Sequence, residues 1–282
     1  MSPAEFCHDK VVKSKSNFTI AFALLNGEKR EAMETLYAYC REIDDIADSC
    51  LDPKIAKEKL NWWEDEIRNV FGSPTHPISI ALQKQVANYS LPISDLLKII
   101  FGVSQDLDHK PFRSFVDLEN YSDCVAGAVG RLAARIFGKV INTEVLNYAT
   151  ELGIACQFTN ILRDISEDRE NSRVYIPLEL LQKYNLRFDQ NSSVDKKKTE
   201  PMFEEFYVLT KEKYKNAFLS LPKENYKEQR PGIVMGVIYM SLLKKIKKLK
   251  FNVLERKISL NTIEKLWAAS NGAWGKIPGL DL

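Results

Sequence analysis

Two short stretches of the sequence hold oxygen-bearing side chains at intervals of about one helical turn. The first, LYAYCREIDDIADS (36–49), puts Asp44 and Asp48 four residues apart and Asp45 three before Asp48. On a helix these positions are neighbours, so all three carboxylates are expected to crowd one side. The second, CQFTNILRDISEDRENSRVYIP (156–177), spaces Asn160, Asp164 and Asp168 by four and four, with Glu167 beside them. Like charges at such spacing cost an isolated helix roughly 0.2–0.5 kcal/mol per pair. A cost repeated on two helices needs open water or a cation to offset it. For one acidic row alone, a solvated helix face is the simpler reading. Here each row is flanked by apolar residues on the same helix (Leu36, Tyr37, Ile43, Ile46; Ile161, Leu162, Ile165), as a helix set into a core would be. Each row also has an arginine nearby, Arg41 and Arg163, with Arg173 further on. Two facing rows of this kind make a cage.

Hard oxygen ligands suit Mg²⁺, which takes a few carboxylates and completes its shell with substrate phosphate oxygens and water. Arginines beside them can grip phosphate in a fork. The chemistry that fits is loss of diphosphate from an allylic carbon, with metals and arginines holding the leaving group and a dry pocket protecting the carbocation. No other motif competes. His8, His76 and His109 are scattered, and neither a nucleophile elbow nor a phosphate-binding loop is present.

The elements that must position these rows read as helices throughout. Ala56, Leu60, Trp63, Ile67 and Val70 recur at helical spacing before Gly72, and Ile93, Leu96, Leu97, Ile100 and Phe101 do so after Pro92. Ile154, Phe158, Ile161, Leu162 and Ile165 form one stripe on a helix predicted from about 143 to 168. Breaks fall at 72–74, 108–111, Pro177 and 187–202, and the last of these, the least apolar part of the chain, is expected to be an exposed loop. No period-two alternation or glycine-rich strand-to-helix turn suggests a sheet. The expectation is an all-α chain, one domain over 1–282 with roughly ten helices.

With 40 basic and 38 acidic residues the net charge is +2, so nothing favours a nucleic acid as partner. The lysines cluster at 196–198 and 244–250; solvated helix faces account for them, and contact with an anionic membrane surface is the alternative. Five scattered cysteines suggest neither a disulfide framework nor a zinc site, which fits a reducing cytoplasm. The N-terminus lacks a signal peptide's apolar core, and the longest apolar stretch, 233–243, is about half of the ~20 residues a spanning helix needs. A cytoplasmic protein, at most peripheral at the inner face of a membrane, is expected.

KSNFTIAFALL (15–25), YAYCREIDDIAD (37–48), YSDCVAGAVG (121–130) and QFTNILRDISEDRENSRVYIP (157–177) together resemble the squalene/phytoene synthase family over nearly the whole chain. The resemblance implies an isoprenoid-synthase helical bundle around a central cavity with two prenyl-diphosphate sites. Carried over by position, Asp44, Asp48, Asn160, Asp164 and Asp168 are implied Mg²⁺ ligands. Arg41, Arg163, Arg173, Ser16 and Phe18 are implied diphosphate contacts, although Asn17 departs from the serine usual beside them. Tyr37 and Tyr121 fall where the family places tyrosines at the reacting carbons, and serve equally as locally bonded core residues. Val125, Ala126, Val129, Gly130 and Gln157 are implied to line the prenyl channel; the same small residues would also suit tight helix packing. Tyr175 and Asp106 complete the implied substrate set. QRPGIVMGVIYMSLL (229–243), ISLNTIEKLWAASNGAW (258–274) and LNWWEDEIRNVFGSPTHPI (60–78) look most like bacterial presqualene diphosphate synthases of the hopanoid pathway, and no C-terminal anchor of the eukaryotic squalene synthases is recognised. The implied substrate is farnesyl diphosphate, with geranylgeranyl diphosphate the alternative, and downstream squalene-pathway enzymes are implied partners. Phytoene or dehydrosqualene synthesis is the rival outcome, and a silent family member acting in assembly or lipid binding is the rival class.

Overall fold

Helix starts are set by capping chemistry written into the sequence. Asn26 Oδ1 accepts from Lys29 N–H at 3.0 Å to open α2 (Gly27–Ser49), which follows α1 (Pro3–Ser14). Asp52 and a first-turn proline open α3 (Pro53–Arg68), and a proline also sits in the first turn of α4 (Pro77–Tyr89). The computed structural model describes residues 1–14, 21–22, 24–50, 52–138, 141–188 and 196–277. Next come α5 (Ile93–Asp106), α6 (Phe115–Ser122), a π-helical turn (Asp123–Gly127) and α7 (Ala128–Phe137). Asn142 caps α8 (Thr143–Glu170), the longest described helix, followed by α9 (Leu178–Lys183), α10 (Lys196–Ser220), α11 (Arg230–Lys248) and α12 (Thr262–Ala273). Among the described residues no strand is present, and no helix is long and apolar enough to cross a membrane.

The buried apolar side chains fall into two groups. One joins α1 to α5 with α7 around Leu36, Tyr39, Ile43, Trp63 and Ile67. The other joins α8, α10, α11 and α12 around Phe158, Phe206, Phe218 and Val237. Val125, on the π turn, touches both. The functional cavities lie between the two groups, so the acidic row of α2 and that of α8 arrive from opposite cores.

The π turn decides what the following segment can present. At about 100° per residue, an uninterrupted α-helix would put Tyr121 and Gly130 on opposite sides. One residue accommodated in a π turn rotates everything after it, so that Tyr121, Val125 and Gly130 all reach the cavity system. Arg131 braces the turn, donating to Asp95 Oδ1 at 2.8 Å and to Thr150 at 3.0 Å and pairing with Asp123.

Two expectations need correction. The segment 187–202 is not a loop to its end: α10 begins at Lys196, with Thr199 at 1% and Met202 at 0% exposure. Lysines and a mid-helix Pro201 hid it, although Thr199 and Met202, three residues apart, face inward. The lysines of 244–250 are also not uniformly solvated. Lys245 bonds both Glu264 oxygens and the Ser259 carbonyl, Lys247 pairs with Glu204 over the Tyr207 ring, and half-buried Lys244 has its pKa lowered by burial and by Lys211.

The α7–α8 contact is closest at two glycines. A Cβ on Gly130 would lie 2.2 Å from the Ala149 carbonyl oxygen, and one on Gly153 would lie 2.4 Å from that of Ala126. Both obstacles are backbone, so neither can swing aside. Gly130→Ala and Gly153→Ala should each destabilise by about 1–3 kcal/mol as the helices are forced apart. Calorimetric melting should show a drop of several degrees for each; a wild-type Tm in either variant would mean the contact is looser than described.

Candidate active site

Asp44 and Asp48 from α2 meet Asn160, Asp164 and Asp168 from α8 around one polar cavity of 260 Å³. Four-residue spacing on each helix puts the successive side chains in a row, and the buried stripes on either side (Ile43 and Ile46; Ile161, Leu162 and Ile165) hold the rows inward. Asp45 does not join them: it turns to Arg41 at 2.7 Å and Lys10 at 3.3 Å. The expected crowding of three carboxylates is thereby reduced to two, because Asp45 lies about 100° round the helix from Asp44.

Cations bind the cavity's rim together. Arg173, just beyond α8, donates to Asp48 Oδ1 at 2.7 Å and to the Ala47 carbonyl at 3.0 Å, linking the two rows directly. Arg163 forks onto its neighbour Asp164, with Nε to Oδ1 at 2.8 Å, and Lys257 reaches Asp164 at 3.0 Å and Glu167 at 2.7 Å. Burial disfavours the Asp164 charge, yet the Arg163 fork and Lys257 outweigh it and hold its carboxyl below the usual range. Asp44 and Asp168 have no such partner. Burial, then Asp48, pushes Asp44 up to about 7. Burial, then Asp164, pushes Asp168 up to about 7 against the pull of Arg173.

These features fit a hard divalent cation. The Asn160 Oδ1 atom is buried with no protein partner, while its amide nitrogen is turned to Gln157 at 3.3 Å. An unpaired acceptor among carboxylates with raised pKa values is a site short of positive charge. Among the described residues no three His, Cys, Asp or Glu side chains converge closely enough to hold an ion alone.

One wall of the polar cavity is a hydrogen-bonded trio. Tyr121 donates to Asp106 Oδ2 at 2.9 Å and Tyr175 to Oδ1 at 2.8 Å. The two rings also contact each other and Phe112. Burial raises the Asp106 pKa despite both donors, and raises the tyrosines well above their ordinary value. Both hydroxyls are therefore fixed as neutral donors beside the acidic rows.

At Asp44 and Asn160 the polar cavity gives way to an apolar one of 330 Å³. Tyr37, Val125, Ala126, Val129, Gly130 and Gln157 line it, as does Arg41 near its polar end, so these expected residues are brought together. Ser16 and Phe18 lie outside the described residues. The sequence reading missed Lys257 and Tyr239. Lys257 sits in an irregular stretch after α11 with no periodicity to betray it. Tyr239, only 6% exposed and in contact with Arg163, had one clue: it is a tyrosine inside an apolar run of α11.

The squalene/phytoene synthase family model matches residues 11–264. Phytoene synthase of Mycobacterium tuberculosis is 36% identical over 181 residues, 64% of this chain and 59% of that protein. Presqualene diphosphate synthase of Rhodopseudomonas palustris is 38% identical over 174 residues, 61% of each. The matched segment thus spans about six tenths of these relatives' own length. Among solved structures, a dehydrosqualene synthase bound to a ligand superposes with a TM-score of 0.85 at 21% identity, covering 97% of this chain and 96% of that one. That likeness establishes the all-α isoprenoid-synthase fold.

The raised carboxyls give a signed prediction for chelator-treated protein. Asp44 has a folded pKa near 7, above its unfolded value of 3.8, so its contribution is present below the unfolded value and lost as pH rises through 7. Asp44→Asn mimics the protonated form at every pH. The variant's stability advantage over wild type should therefore be larger at pH 8 than at pH 5.5 by about 1–2 kcal/mol, a few degrees in Tm. Equal Tm differences at the two pH values would show that Asp44 is not crowded.

Proposed function

The chain belongs to the squalene/phytoene synthase family, and from that premise we propose that it is a Mg²⁺-dependent prenyltransferase joining two farnesyl diphosphates head to head into presqualene diphosphate. The observation that carries the reading is the junction at Asp44 and Asn160, where a carboxylate-lined cavity opens into an apolar one. A prenyl diphosphate has that same division, an anionic head on an apolar tail.

Asp44, Asp48, Asn160, Asp164 and Asp168 would hold Mg²⁺, which when bound neutralises the diphosphate leaving group. Arg163, Arg173 and Lys257 stand where they can exchange a carboxylate partner for a phosphate oxygen, a gain for the fork geometry of arginine. Tyr121 and Tyr175, held neutral by burial, offer hydroxyls in the wall of the polar cavity. In the reaction one farnesyl C1–O bond breaks, with the electron pair leaving on diphosphate. The double bond of the second farnesyl attacks the resulting cation, and loss of a proton closes the cyclopropane. Leu36, Leu152, Met235 and the Gly130–Gly153 wall exclude water that would otherwise capture the cation.

The choice of product leans on the Rhodopseudomonas palustris relative and on the likeness of 229–243 and 258–274 to presqualene diphosphate synthases. The phytoene synthase relative supports the second reading, a forty-carbon product from geranylgeranyl diphosphate.

Purified protein given farnesyl diphosphate and Mg²⁺ should release presqualene diphosphate, identified by mass spectrometry, and adding NADPH should change nothing. Excess chelator should abolish turnover, and Asp164→Ala should lower it by more than a hundredfold, about 3 kcal/mol of transition-state stabilisation, while unfolding cooperatively. Full turnover in chelator would overturn the metal chemistry. Squalene formed only with NADPH, or phytoene formed preferentially, would overturn the product.

A further inference from the structure

The apolar cavity does not end apolar. Helices α8 and α11 run in the same direction along it: Asn160 and Tyr239 flank its acidic end, while Tyr148 and Gln229 lie toward the other. The proximity at that far end is direct, since a Cβ on Gly232 would stand 2.9 Å from the Tyr148 hydroxyl. Tyr148 and Gln229 are each only 1% exposed. The Tyr148 hydroxyl has no protein partner, and neither has Gln229 Oε1. The other half of the Gln229 amide is committed, donating from Nε2 to the Ala134 carbonyl at 3.0 Å. The floor of a greasy channel therefore presents one spare donor and one spare acceptor.

That pair discriminates between tails by chemistry as well as by length. Buried polar groups are tolerated when something polar, such as a bridging water, can meet them. An apolar chain end pressed against them leaves both unsatisfied, a penalty that a shorter chain never incurs. Length places the boundary. Twelve residues of α8 separate Asn160 from Tyr148, a rise of about 18 Å, and the tyrosine side chain itself occupies part of that depth. At about 1.25 Å of advance per C–C bond, a fifteen-carbon prenyl chain reaches roughly 14 Å and a twenty-carbon chain roughly 19 Å. The first stops short of the polar pair; the second runs into it.

We infer that Tyr148 and Gln229 form a polar stop that limits the cavity to a fifteen-carbon prenyl tail. The inference rests on the prenyl-diphosphate reading above and adds to it the residues that set the substrate's length. They are specificity-determining rather than catalytic, lying at the end of the cavity remote from the acidic rows.

Tyr148→Phe and Gln229→Leu, singly and together, test it. The substitutions are mild, because the Ala134 carbonyl freed by Gln229→Leu still accepts from Gly138 N–H at 3.0 Å. The readout is the ratio of Kd values for farnesyl and geranylgeranyl thiolodiphosphate with Mg²⁺, alongside the kcat/KM ratio for the two diphosphates. Wild type should prefer the fifteen-carbon compounds, and the double variant should shift both ratios toward twenty carbons by about tenfold. Tyr148→Phe, which keeps the ring and deletes only the hydroxyl, should give about a threefold shift by itself and carries the test if the double variant fails to fold. Unchanged ratios in folded variants, or a wild type that already favours twenty carbons, would overturn the polar stop while leaving the family chemistry intact. Failure of wild type to bind either analogue would instead overturn the prenyl-diphosphate reading, and the stop with it.

Discussion

Everything in this protein is arranged around a repulsion. Two helices from two different apolar cores bring Asp44, Asp48, Asp164 and Asp168 to one cavity, where burial strengthens the mutual repulsion of their charges. A fold does not place carboxylates this way for its own stability. Arg173 spans the rows, and Arg163 and Lys257 hold Asp164, but Asp44 and Asp168 remain short of positive charge. The remaining deficit is what a cation and its ligands would fill, so the cost of folding and the capacity for binding have the same origin.

The same constraint explains why the cavity system has two chemically distinct parts. In the proposed reaction the carboxylates, arginines and lysine would work among water, substrate or metal, whereas an allylic cation would need their absence. Separation is achieved along the helix axes. One turn before Asn160 the α8 face changes from the acidic row to Gln157, Cys156 and Gly153, and one turn before Asp44 the α2 face changes to Cys40 and Tyr37. A single pair of helices thus delivers both environments. The Asp106 trio stands in the wall of the polar part, where burial keeps both tyrosines protonated and hydrogen-bonded.

How much of this could be read beforehand follows from the range of each interaction. Within a helix the rule is local, so the rows on α2 and α8 and their inward flanks are visible as spacing, whereas the small residues of 125–130 come only with the family resemblance. Where a side chain is turned by a partner far along the chain, spacing misleads. Asp45 was grouped with Asp44 and Asp48, yet Lys10 and Arg41 draw it away. Lys257 was missed because its link to Asp164 joins residues with no common periodicity. The π turn was equally invisible, since an extra residue in a helix leaves composition and hydropathy unchanged. The onset of α10 was mistaken for loop because its polar residues outnumber the buried ones, although Thr199 and Met202 carry the contact.

The glycines show how these scales meet. Gly130 belongs to the segment after the π turn and Gly153 to α8, and each accepts the other helix's carbonyl where a side chain would stand: Ala149 against Gly130, Ala126 against Gly153. One such contact would fix a distance and leave the helices free to pivot about it. Two fix the distance and restrict the pivot. Because the row of Asn160, Asp164 and Asp168 continues the same α8, that restriction also limits where its side-chain oxygens can stand relative to Tyr121, which precedes the turn. The residues that make the apolar wall smooth are therefore the ones that hold the acidic row in register, and no position along this wall is solely lining or solely structural.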